Sequence, residues 1–247
     1  MSVCAIVLSM IDNIYKYPRL YLNVSLKENE SVALDTPQNH YLKNVLRKNV
    51  GDIIRVFNGV EGEWVCEISA LGKKSGEGVL KQCLKRQPNF SKEIALYFAP
   101  IKKQRMDILI EKAVELGVTD LHPVLTNRTE YRKLNEGRMS AQIIEASEQC
   151  ERLTIPKLHT IARLSDVLIQ NHDVPFYACL ERDANKTLIS DCDFTSGVAF
   201  LIGPVGGFDD DEVARILSCE DVIPLSLGNY ILRAETAAIM CMSYACL

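Results

Sequence analysis

Two stretches near the end of the chain decide its fold: Ala199–Phe208, which reads AFLIGPVGGF, and Ile223–Ala238, which reads IPLSLGNYILRAETAA. The first begins with an unbroken apolar run, Ala199–Ile202, which is typical of a strand buried on both faces of a parallel sheet. A Gly-Pro pair then predicts a turn, and a Gly-Gly pair shortly after it leaves main chain without side chains. A ligand therefore has room to approach the backbone here.

Both stretches follow the same plan of strand, loop and helix. After the first loop, Asp209 is a good N-cap and Glu212 lies three residues on, which predicts a helix over residues 210–217. In the second stretch, Val222–Leu225 is the strand, residues 226–228 form the loop, and an apolar helix begins near Ala234. Ligands of α/β folds bind at the carboxyl ends of parallel strands, so these loops predict a binding site.

Length and composition indicate a protein with a proper core. At 247 residues, with 47% hydrophobic and 24% charged residues, the chain is long enough for one large or two small domains. The nine cysteines form no CxxC pair and show no metal-ligand spacing with the four histidines. We expect reduced, buried thiols in a cytosolic protein, and no metal.

The apolar run Val3–Met10 is too short to span a bilayer, so residues 1–17 are interpreted as an extension and not a signal.

The formal net charge of −4 hides a division between the two halves of the chain. Residues 1–138 carry 21 Lys and Arg against 16 Asp and Glu, a net of +5, whereas residues 139–247 carry 7 against 16, a net of −9. This asymmetry suggests a polyanionic partner for the first half and a cationic ligand for the second. Ordinary solvated surfaces explain it equally well.

Residues 17–84 have the pattern of a small β-rich domain. Turn signals such as Asn58-Gly59 separate five short strands, which would close into a small barrel of the kind that binds nucleic acid. The strand candidates are residues 20–24, 31–34, 52–57, 63–68 and 78–83. One helical turn is predicted at His40–Leu46. Lys43 and Arg47 belong to a basic cluster there that suits RNA phosphates, although a solubilising surface also accounts for it.

From Ile94 onward strands and helices alternate, which predicts a parallel sheet with helices on both faces. The clearest helix is Lys103–Leu116, whose apolar residues recur at helical spacing. Three cations lie at its N-terminus, where the helix dipole disfavours each by about 0.3–1 kcal/mol, so their position favours an anion-binding role. The other elements predicted here are strands at 94–99, 120–125 and 176–180 and a helix at 138–152.

Six motifs in this order resemble a known family. They are VLR at 45–47 with GD at 51–52 and FNG at 57–59, PIKKQRMD at 100–107, EKAVELG at 111–117, EQCER at 148–152, GPVGG at 203–207, and LG at 227–228 with ILRAETA at 231–237. The chain resembles the bacterial 16S ribosomal RNA uridine-N3-methyltransferases of the RsmE type, in the SPOUT superfamily, from about Pro18 to its end.

The resemblance implies a fold and a set of partners. The fold is α/β, with a PUA-like RNA-binding β-barrel over residues 18–86, a linker over 87–91, and a SPOUT methyltransferase domain over 92–247 with a parallel sheet and a deep trefoil knot. The protein is expected to be a cytoplasmic homodimer with active sites at the subunit interface, acting on 16S rRNA or the small ribosomal subunit.

The methyl donor implied by the resemblance is S-adenosylmethionine (SAM), held mainly by backbone groups of three loops. Glycines let main-chain N–H and C=O groups reach the cofactor, and a net-acidic domain suits its sulfonium cation. No GxGxxG motif is present, which weighs against NAD. The cofactor-binding residues implied are Leu180, Glu181, Ile202, Gly203, Pro204, Gly206, Gly207, Leu225, Ser226, Leu227, Gly228, Ile231 and Leu232.

The same resemblance implies catalytic and RNA-binding residues. When the uridine N3 loses its proton, negative charge develops on the flanking carbonyl oxygens, and Arg233 is the candidate to stabilise it. Glu235 is a candidate to receive or relay the proton, but it would also complement the dipole of the last helix. Contacts to RNA or substrate are assigned to Arg105, Arg128, Gln149 and Arg152.

Two positions depart from the family pattern. The usual GPEGG is GPVGG here, with Val205 in place of a glutamate, and the usual Pro-Arg before the ILR run is Asn229-Tyr230. Losing an acid and a base in two of the cofactor loops is consistent with a compensated pair. The departures also leave open a non-catalytic RNA-binding or ribosome-assembly factor that retains the fold.

Overall fold

The computed structural model describes residues 14–88, 92–180 and 187–246, and the chain divides into two compact units. The first unit is Met1–Asn89 together with Glu151–Thr154, and the second is Phe90–Cys150 together with Ile155–Leu247. Most of the predicted N-terminal extension, residues 89–91 of the predicted linker, and the predicted cofactor residue Glu181 lie outside the described residues.

The first unit contains a five-stranded sheet of order β1-β3-β4-β5-β2. Its strands are Arg19–Tyr21 (β1), Ser31–Leu34 (β2), Ile53–Phe57 (β3), Glu63–Leu71 (β4) and Gly76–Lys85 (β5). The pairing of β1 with β3 is parallel, and the other three pairings are antiparallel. All five predicted strands are present, but the first is shorter than predicted and the last two are longer.

The predicted helical turn at His40–Leu46 was wrong at its start. Helix α1 covers Thr36–His40 and continues as a π-helical turn over Tyr41–Val45. Asp35 caps α1, because its side chain accepts a hydrogen bond from the Gln38 N–H at 2.8 Å while the Gln38 side chain accepts one from the Asp35 N–H at 2.9 Å. A 3₁₀ turn, Ile14–Lys16, precedes β1.

A buried charge cluster lies inside the first unit. The fully buried carboxylate of Glu63 accepts hydrogen bonds through one oxygen from Arg19 Nε at 3.3 Å and Arg55 Nη1 at 3.1 Å. Arg55 Nη2 also donates to Glu151 Oε1 at 2.8 Å. Burial lowers the pKa of Arg19, and the neighbouring Glu63 carboxylate opposes that shift. This cluster joins Glu151 to the sheet of the first unit.

The second unit contains an eight-stranded parallel sheet. Its strands are Ile94–Phe98 (β6), Asp120–Leu125 (β7), Lys157–Leu158 (β8), Ala162–Arg163 (β9), Phe176–Cys179 (β10), Thr187–Leu188 (β11), Val198–Ile202 (β12) and Val222–Ser226 (β13). They follow the order β11-β13-β10-β12-β6-β7-β8, and β9 also pairs with β7. A sheet of this kind confirms the predicted α/β class.

Helices cover both faces of this sheet, as predicted. The helices of this unit are Lys103–Glu115 (α2), Glu136–Gln149 (α3), Leu164–Val167 (α4), Asp210–Ser218 (α5) and Ala234–Ala245 (α6), with a 3₁₀ turn at Ile189–Asp191. Ile94, Leu96 and Phe98 of β6 pack with α2, α3 and α6, whereas Ala95 and Tyr97 pack with α4 and α5. The core of the second unit thus has two layers.

Helix α3 is displaced from its predicted bounds of 138–152. It starts at Glu136 because Asn135 is the N-cap, its side chain accepting from the Arg138 N–H at 2.9 Å. It ends at Gln149, and Glu151 has φ +58°, a left-handed conformation that a helix cannot continue through.

Two other sequence expectations are tested by the described residues. All eight cysteines described are free, but only Cys66 and Cys241 are buried, so the prediction of buried thiols was wrong for the other six. None of the helices described combines the length and the apolar surface that a membrane span requires.

Candidate functional site

The sheet order brings three strand ends together. Strand β10 lies between β12 and β13 and is parallel to both, with Ala178 opposite Leu201 and Cys179 opposite Leu225. The three strands therefore end at the same edge of the sheet. Buried Leu180 ties two of them, since its N–H donates to the Leu225 carbonyl at 3.4 Å.

The second loop, residues 203–208, is a tight turn fixed from several sides. The Gly207 N–H donates to the Pro204 carbonyl at 2.9 Å, and Gly207 has φ +68°. A Cβ at Gly203 would lie 3.0 Å from the Phe208 ring, so glycine allows that ring to pack against the loop. Arg128 Nη1 donates to the carbonyls of Gly206 and Phe208 at 2.9 and 3.1 Å.

The third loop, residues 227–233, is open to solvent. Gly228 has φ +110° and no atom within 4 Å of a Cβ placed there, while Tyr230 and Ile231 are 86% and 69% exposed. The Gly228 N–H donates to Ser226 Oγ at 3.4 Å. Arg233 is the exposed residue that precedes the first turn of α6. Arg233 is therefore both the last residue of the third loop and the N-cap residue of α6.

The second and third loops have backbone features that suit the backbone-held SAM implied by the family resemblance. Gly207 and Gly228 both have positive φ and open space where a side chain would project, so main-chain groups there are accessible. The second and third loops expose Val205 and Tyr230, the two departures from the family pattern. A cleft beside Arg128 and Gly206 has a volume of about 10 Å³, which is the size of one water molecule. That cleft is too small for an adenosyl group.

Glu235 and Arg105 form an ion pair at the start of α6. Glu235 is 8% exposed, and its Oε1 lies 3.6 Å from Arg105 Nε on the first turn of α2. The other carboxylate oxygen, Oε2, is buried and has no hydrogen-bond partner within the described residues. Arg105 was predicted to contact RNA. That contact stays a prediction, and the ion pair gives one of the three cations at the start of α2 a carboxylate partner within the protein.

The other predicted RNA-binding residues are distributed over both units. Lys43 Nζ donates to the carbonyls of Leu71 and Gly72 at 3.3 and 3.1 Å, and Arg47 is exposed with φ +54°. Arg152 belongs to the first unit and donates from Nε to Thr154 Oγ1 at 3.0 Å. Arg128 lies against the second loop in the second unit. The exposed Gln149, also in that unit, ends α3.

Sequence reasoning missed the residues that hold the loop after β7 against the start of α5. Glu212 of the α5 capping box also accepts a hydrogen bond from the Asn127 N–H at 2.7 Å, and Asn127 Nδ2 donates to Asp209 Oδ2 at 2.7 Å. The capping box was predicted from Asp209 and Glu212, but local spacing carries no signal for a partner 82 or 85 residues away. These bonds hold the loop that carries Arg128 against the start of α5.

A second cluster of polar side chains lies on the face of the sheet that packs with α4 and α5. The rings of Tyr97 and His122 stack with centroids 4.1 Å apart, and His122 and His159 stack at 3.8 Å with planes 15° apart. His159 Nε2 lies 2.7 Å from Asp120 Oδ1, and the ligand atoms of Asp120, His122 and His159 lie within 4.8 Å of one another. Because the two imidazole planes are nearly parallel, their in-plane lone pairs do not converge on one cation. We therefore interpret the cluster as an aromatic column and not as a metal centre.

Family comparison agrees with both units. Residues 88–246 match the RNA methyltransferase domain family, and residues 34–81 match the RNA methyltransferase PUA domain family. The chain belongs to the RNA methyltransferase family. Among relatives of this family, a Rickettsia conorii protein called ribosomal RNA small subunit methyltransferase E is 38% identical over 227 residues. The match covers 91% of this chain and 93% of that relative.

Solved structures of the family have the same fold. A putative methyltransferase from Legionella pneumophila, solved with bound SAM, superposes with a TM-score of 0.82 at 27% identity, covering 93% of this chain and 96% of that one. A ribosomal RNA small subunit methyltransferase E from Neisseria gonorrhoeae, also solved with SAM, gives 0.82 at 27% identity, with coverages of 92% and 95%. Both neighbours are similar to this chain over nearly its full length.

Proposed function

We propose that this protein transfers a methyl group from SAM to N3 of a uridine in 16S rRNA of the small ribosomal subunit. The observation that carries the proposal is the convergence of the ends of β10, β12 and β13, where the loops after β12 and β13 offer side-chain-poor backbone at one edge of the sheet. Membership of the RNA methyltransferase family and the SAM-bound neighbours support the same reaction.

The residues that hold SAM in this proposal are those of the three loops, from Leu180 and Glu181 through Ile202–Gly207 to Leu225–Leu232. Bound there, SAM supplies an electrophilic methyl group for an in-line displacement. Backbone carbonyls suit its sulfonium cation, and the acidic composition of the second half of the chain adds a favourable field. Because a displacement of this kind depends on alignment, positioning of the two reactants supplies much of the rate.

Arg233 and Glu235 have different roles toward the uridine base in this proposal. Arg233, exposed at the end of the third loop, stabilises negative charge on the uridine carbonyl oxygens as N3 is deprotonated. Glu235 receives or relays that proton. Arg105 orients its carboxylate through the 3.6 Å ion pair, and the unpartnered Oε2 retains its capacity to accept a hydrogen bond.

The finer features of the fold and assembly belong to the same proposal. The first domain, residues 18–86, is a closed PUA-like barrel that binds RNA through Lys43 and Arg47. A linker at 87–91 leads to a SPOUT domain at 92–247 with a deep trefoil knot. Arg105, Arg128, Gln149 and Arg152 contact RNA, and the protein works as a cytoplasmic homodimer without a metal. The matches to PUA and methyltransferase families support this division of the chain.

The first prediction tests Arg233. Arg233→Ala is expected to lower the rate of methyl transfer to small subunits that lack the modification by roughly 10²–10³, because a preorganised charge-stabilising group is removed. The affinity for SAM, measured by calorimetry, should change little. The matched control is Arg215→Ala, since Arg215 is also an exposed arginine but lies on α5. A large loss of SAM affinity in Arg233→Ala would reassign the residue to cofactor binding.

A non-catalytic RNA-binding or assembly factor is the alternative that Val205 and Asn229-Tyr230 favour. The same experiment separates the two functions, since such a factor binds small subunits but shows no methyl transfer from SAM. Transfer by the unmodified protein would exclude it.

A further inference from the structure

Two cysteine thiols meet beside the candidate site. Cys179 is the last residue of β10, and Cys241 lies in the middle of α6. Their Sγ atoms are 3.5 Å apart, and both cysteines are free. Cys241 is fully buried, whereas Cys179 is partly exposed at the end of its strand. The proposed methyl transfer uses neither thiol.

This Sγ–Sγ separation is close to the contact distance of two sulfur atoms, so the atoms need to move only a short way to form a covalent bond. A disulfide has a sulfur–sulfur length of about 2.05 Å, so the two atoms must approach by about 1.5 Å. The third thiol of this region, Cys192, is engaged elsewhere, donating to the Leu188 carbonyl at 3.4 Å and sharing a hydrogen bond with Tyr177. Cys179 and Cys241 are therefore the preferred partners.

The burial of the two thiols sets the order in which they react. Burial raises the pKa of the Cys241 thiol well above its ordinary value and keeps it protonated, so an oxidant dissolved in water reaches Cys179 first. Cys241 then lies in position to attack the oxidised sulfur of Cys179.

We propose that Cys179 and Cys241 are an oxidative modification site, at which a peroxide links the end of β10 to α6. Hydrogen peroxide first converts the Cys179 thiol to a sulfenic acid with release of one water. The Cys241 sulfur then attacks the Cys179 sulfur, the S–OH bond breaks, and the Cys241 proton leaves with the hydroxyl group as a second water. Two thiols are oxidised by two electrons in total, and one peroxide is reduced to two waters.

The position of the link determines its consequence. Cys179 immediately precedes Leu180 and lies opposite Leu225 of β13, so it lies at the edge of the sheet where β13 leads into the third loop. Cys241 lies six residues beyond Glu235 on the helix that begins at the third loop. Drawing the two sulfurs together shifts α6 against the strand end, and we expect the affinity for SAM to fall at least about fivefold, which is a common size of coupling between sites. This consequence rests on the proposed function, whereas formation of the bond does not.

The first experiment detects the bond itself. The intact protein is treated with hydrogen peroxide, alkylated, digested without reduction and analysed by mass spectrometry, before and after dithiothreitol. A peptide pair joined through Cys179 and Cys241 that dithiothreitol separates is expected. It should be absent from Cys179→Ser and from Cys241→Ala, and present in Cys219→Ser, a control at another partly buried thiol. Cross-linking to Cys192 instead, or no cross-link in a folded protein, overturns the proposal.

The second experiment measures SAM affinity by calorimetry under the same treatments. Peroxide should weaken binding in the unmodified protein and in Cys219→Ser, and dithiothreitol should restore it. Methionine oxidation is not reversed by dithiothreitol, so persistent weakening would reveal that artefact and contradict the proposed effect. The same weakening in Cys179→Ser would likewise contradict it. If the cross-link forms in a protein that never binds SAM, the methyl-transfer function fails while the modification site stands.

Discussion

The carboxylate of Glu63 lies between two guanidinium groups in the interior of the first unit. One of its oxygens accepts from both Arg19 and Arg55, and the other lies 4.0 Å from Lys85 Nζ. A buried charge is tolerated only when opposite charge and hydrogen bonds compensate its lost hydration. Glu63 therefore holds two buried cations that would otherwise repel each other.

Removing this carboxylate should be strongly destabilising. Glu63→Ala is expected to lower the free energy of unfolding by about 3–5 kcal/mol, because Arg19 and Arg55 lose their shared buried partner. The matched control is Glu67→Ala on the same strand. Glu67 Oε2 lies 3.0 Å from Lys81 Nζ, and both side chains are 43% exposed. That surface pair should contribute no more than about 1 kcal/mol. Urea unfolding of both variants measures the difference, and equal losses would contradict a special role for the buried cluster.

His122 makes the stability of the second unit sensitive to acid. Burial lowers its pKa to about 4, with the neighbouring charges of His159, His172 and Lys157 acting in the same direction and Asp120 opposing. Unfolded histidine has a pKa of about 6.5, so between these values the unfolded chain binds the additional proton. The contribution of neutral His122 to stability is present above about pH 6.5 and is lost as the pH falls toward 4.

A phenylalanine at this position tests the linkage. His122→Phe keeps an aromatic ring in the column but has no titratable group, so its free energy of unfolding should fall less between pH 7 and pH 5 than that of the unmodified protein. The expected difference is about 1–3 kcal/mol. Chemical denaturation at the two pH values measures it, and parallel pH profiles would show that His122 does not titrate as described.

Gly117, just after α2, and Gly137, in the first turn of α3, differ in whether their backbone conformation requires glycine. Gly117 follows α2 with φ +86°, and nothing lies within 4 Å of a Cβ placed there. Gly137 lies in the first turn of α3, and a Cβ there would meet only Asn135 Oδ1 at an ordinary 3.7 Å. The first glycine is required by its backbone conformation, and the second is not.

Alanine substitutions should therefore differ in sign. Gly117→Ala is expected to destabilise the protein by about 1 kcal/mol, because an L-residue is strained at positive φ. Gly137→Ala is expected to stabilise it by about 0.5 kcal/mol, because alanine loses less backbone entropy in a helix. Neither substitution meets a steric clash, so thermal unfolding isolates the backbone effect. Destabilisation by both would contradict this assignment.

The elements that could be predicted from the sequence are those with a long periodic pattern or a local cap. Helix α2 and the buried strands β6, β7 and β12 were predicted to within a residue or two, since apolar spacing alone determines them. Strands β8, β9 and β11 have two residues each, which is too short for any period to appear. Helix α3 starts two residues before its predicted start because the Asn135 side chain caps it there.

The candidate site was predictable only in part, for a similar reason. The glycine loops after β12 and β13 are visible in the sequence, and the sheet order brings them together. The Arg105–Glu235 pair joins residues from α2 and α6, and the Asn127–Glu212 bond spans 85 residues. Such contacts depend on how the strands are ordered, which no local pattern specifies.

At the scale of the molecule, the charge division between the two halves predicts a salt-dependent interaction with RNA. If Lys43 contacts a phosphate, Lys43→Ala should reduce the slope of log affinity against log salt by about 0.7–0.9. Filter binding to a 16S rRNA fragment at several salt concentrations measures the slope. Lys112→Ala is the control, since Lys112 Nζ is already held by Glu111 and Glu115. An unchanged slope for Lys43→Ala would exclude a phosphate contact there.

The inclusion of Glu151–Thr154 in the first unit has a consequence for biosynthesis. These four residues, which carry a partner of Arg55 and the carbonyl that accepts from Arg19 Nη2 at 2.7 Å, are translated only after the intervening segment Phe90–Cys150. A nascent chain released at residue 89 would lack the groups that complete its own charge cluster. The charge cluster of the first unit can therefore be completed only after residues 151–154 have been synthesised, so the final stabilisation of that unit is a late event of translation.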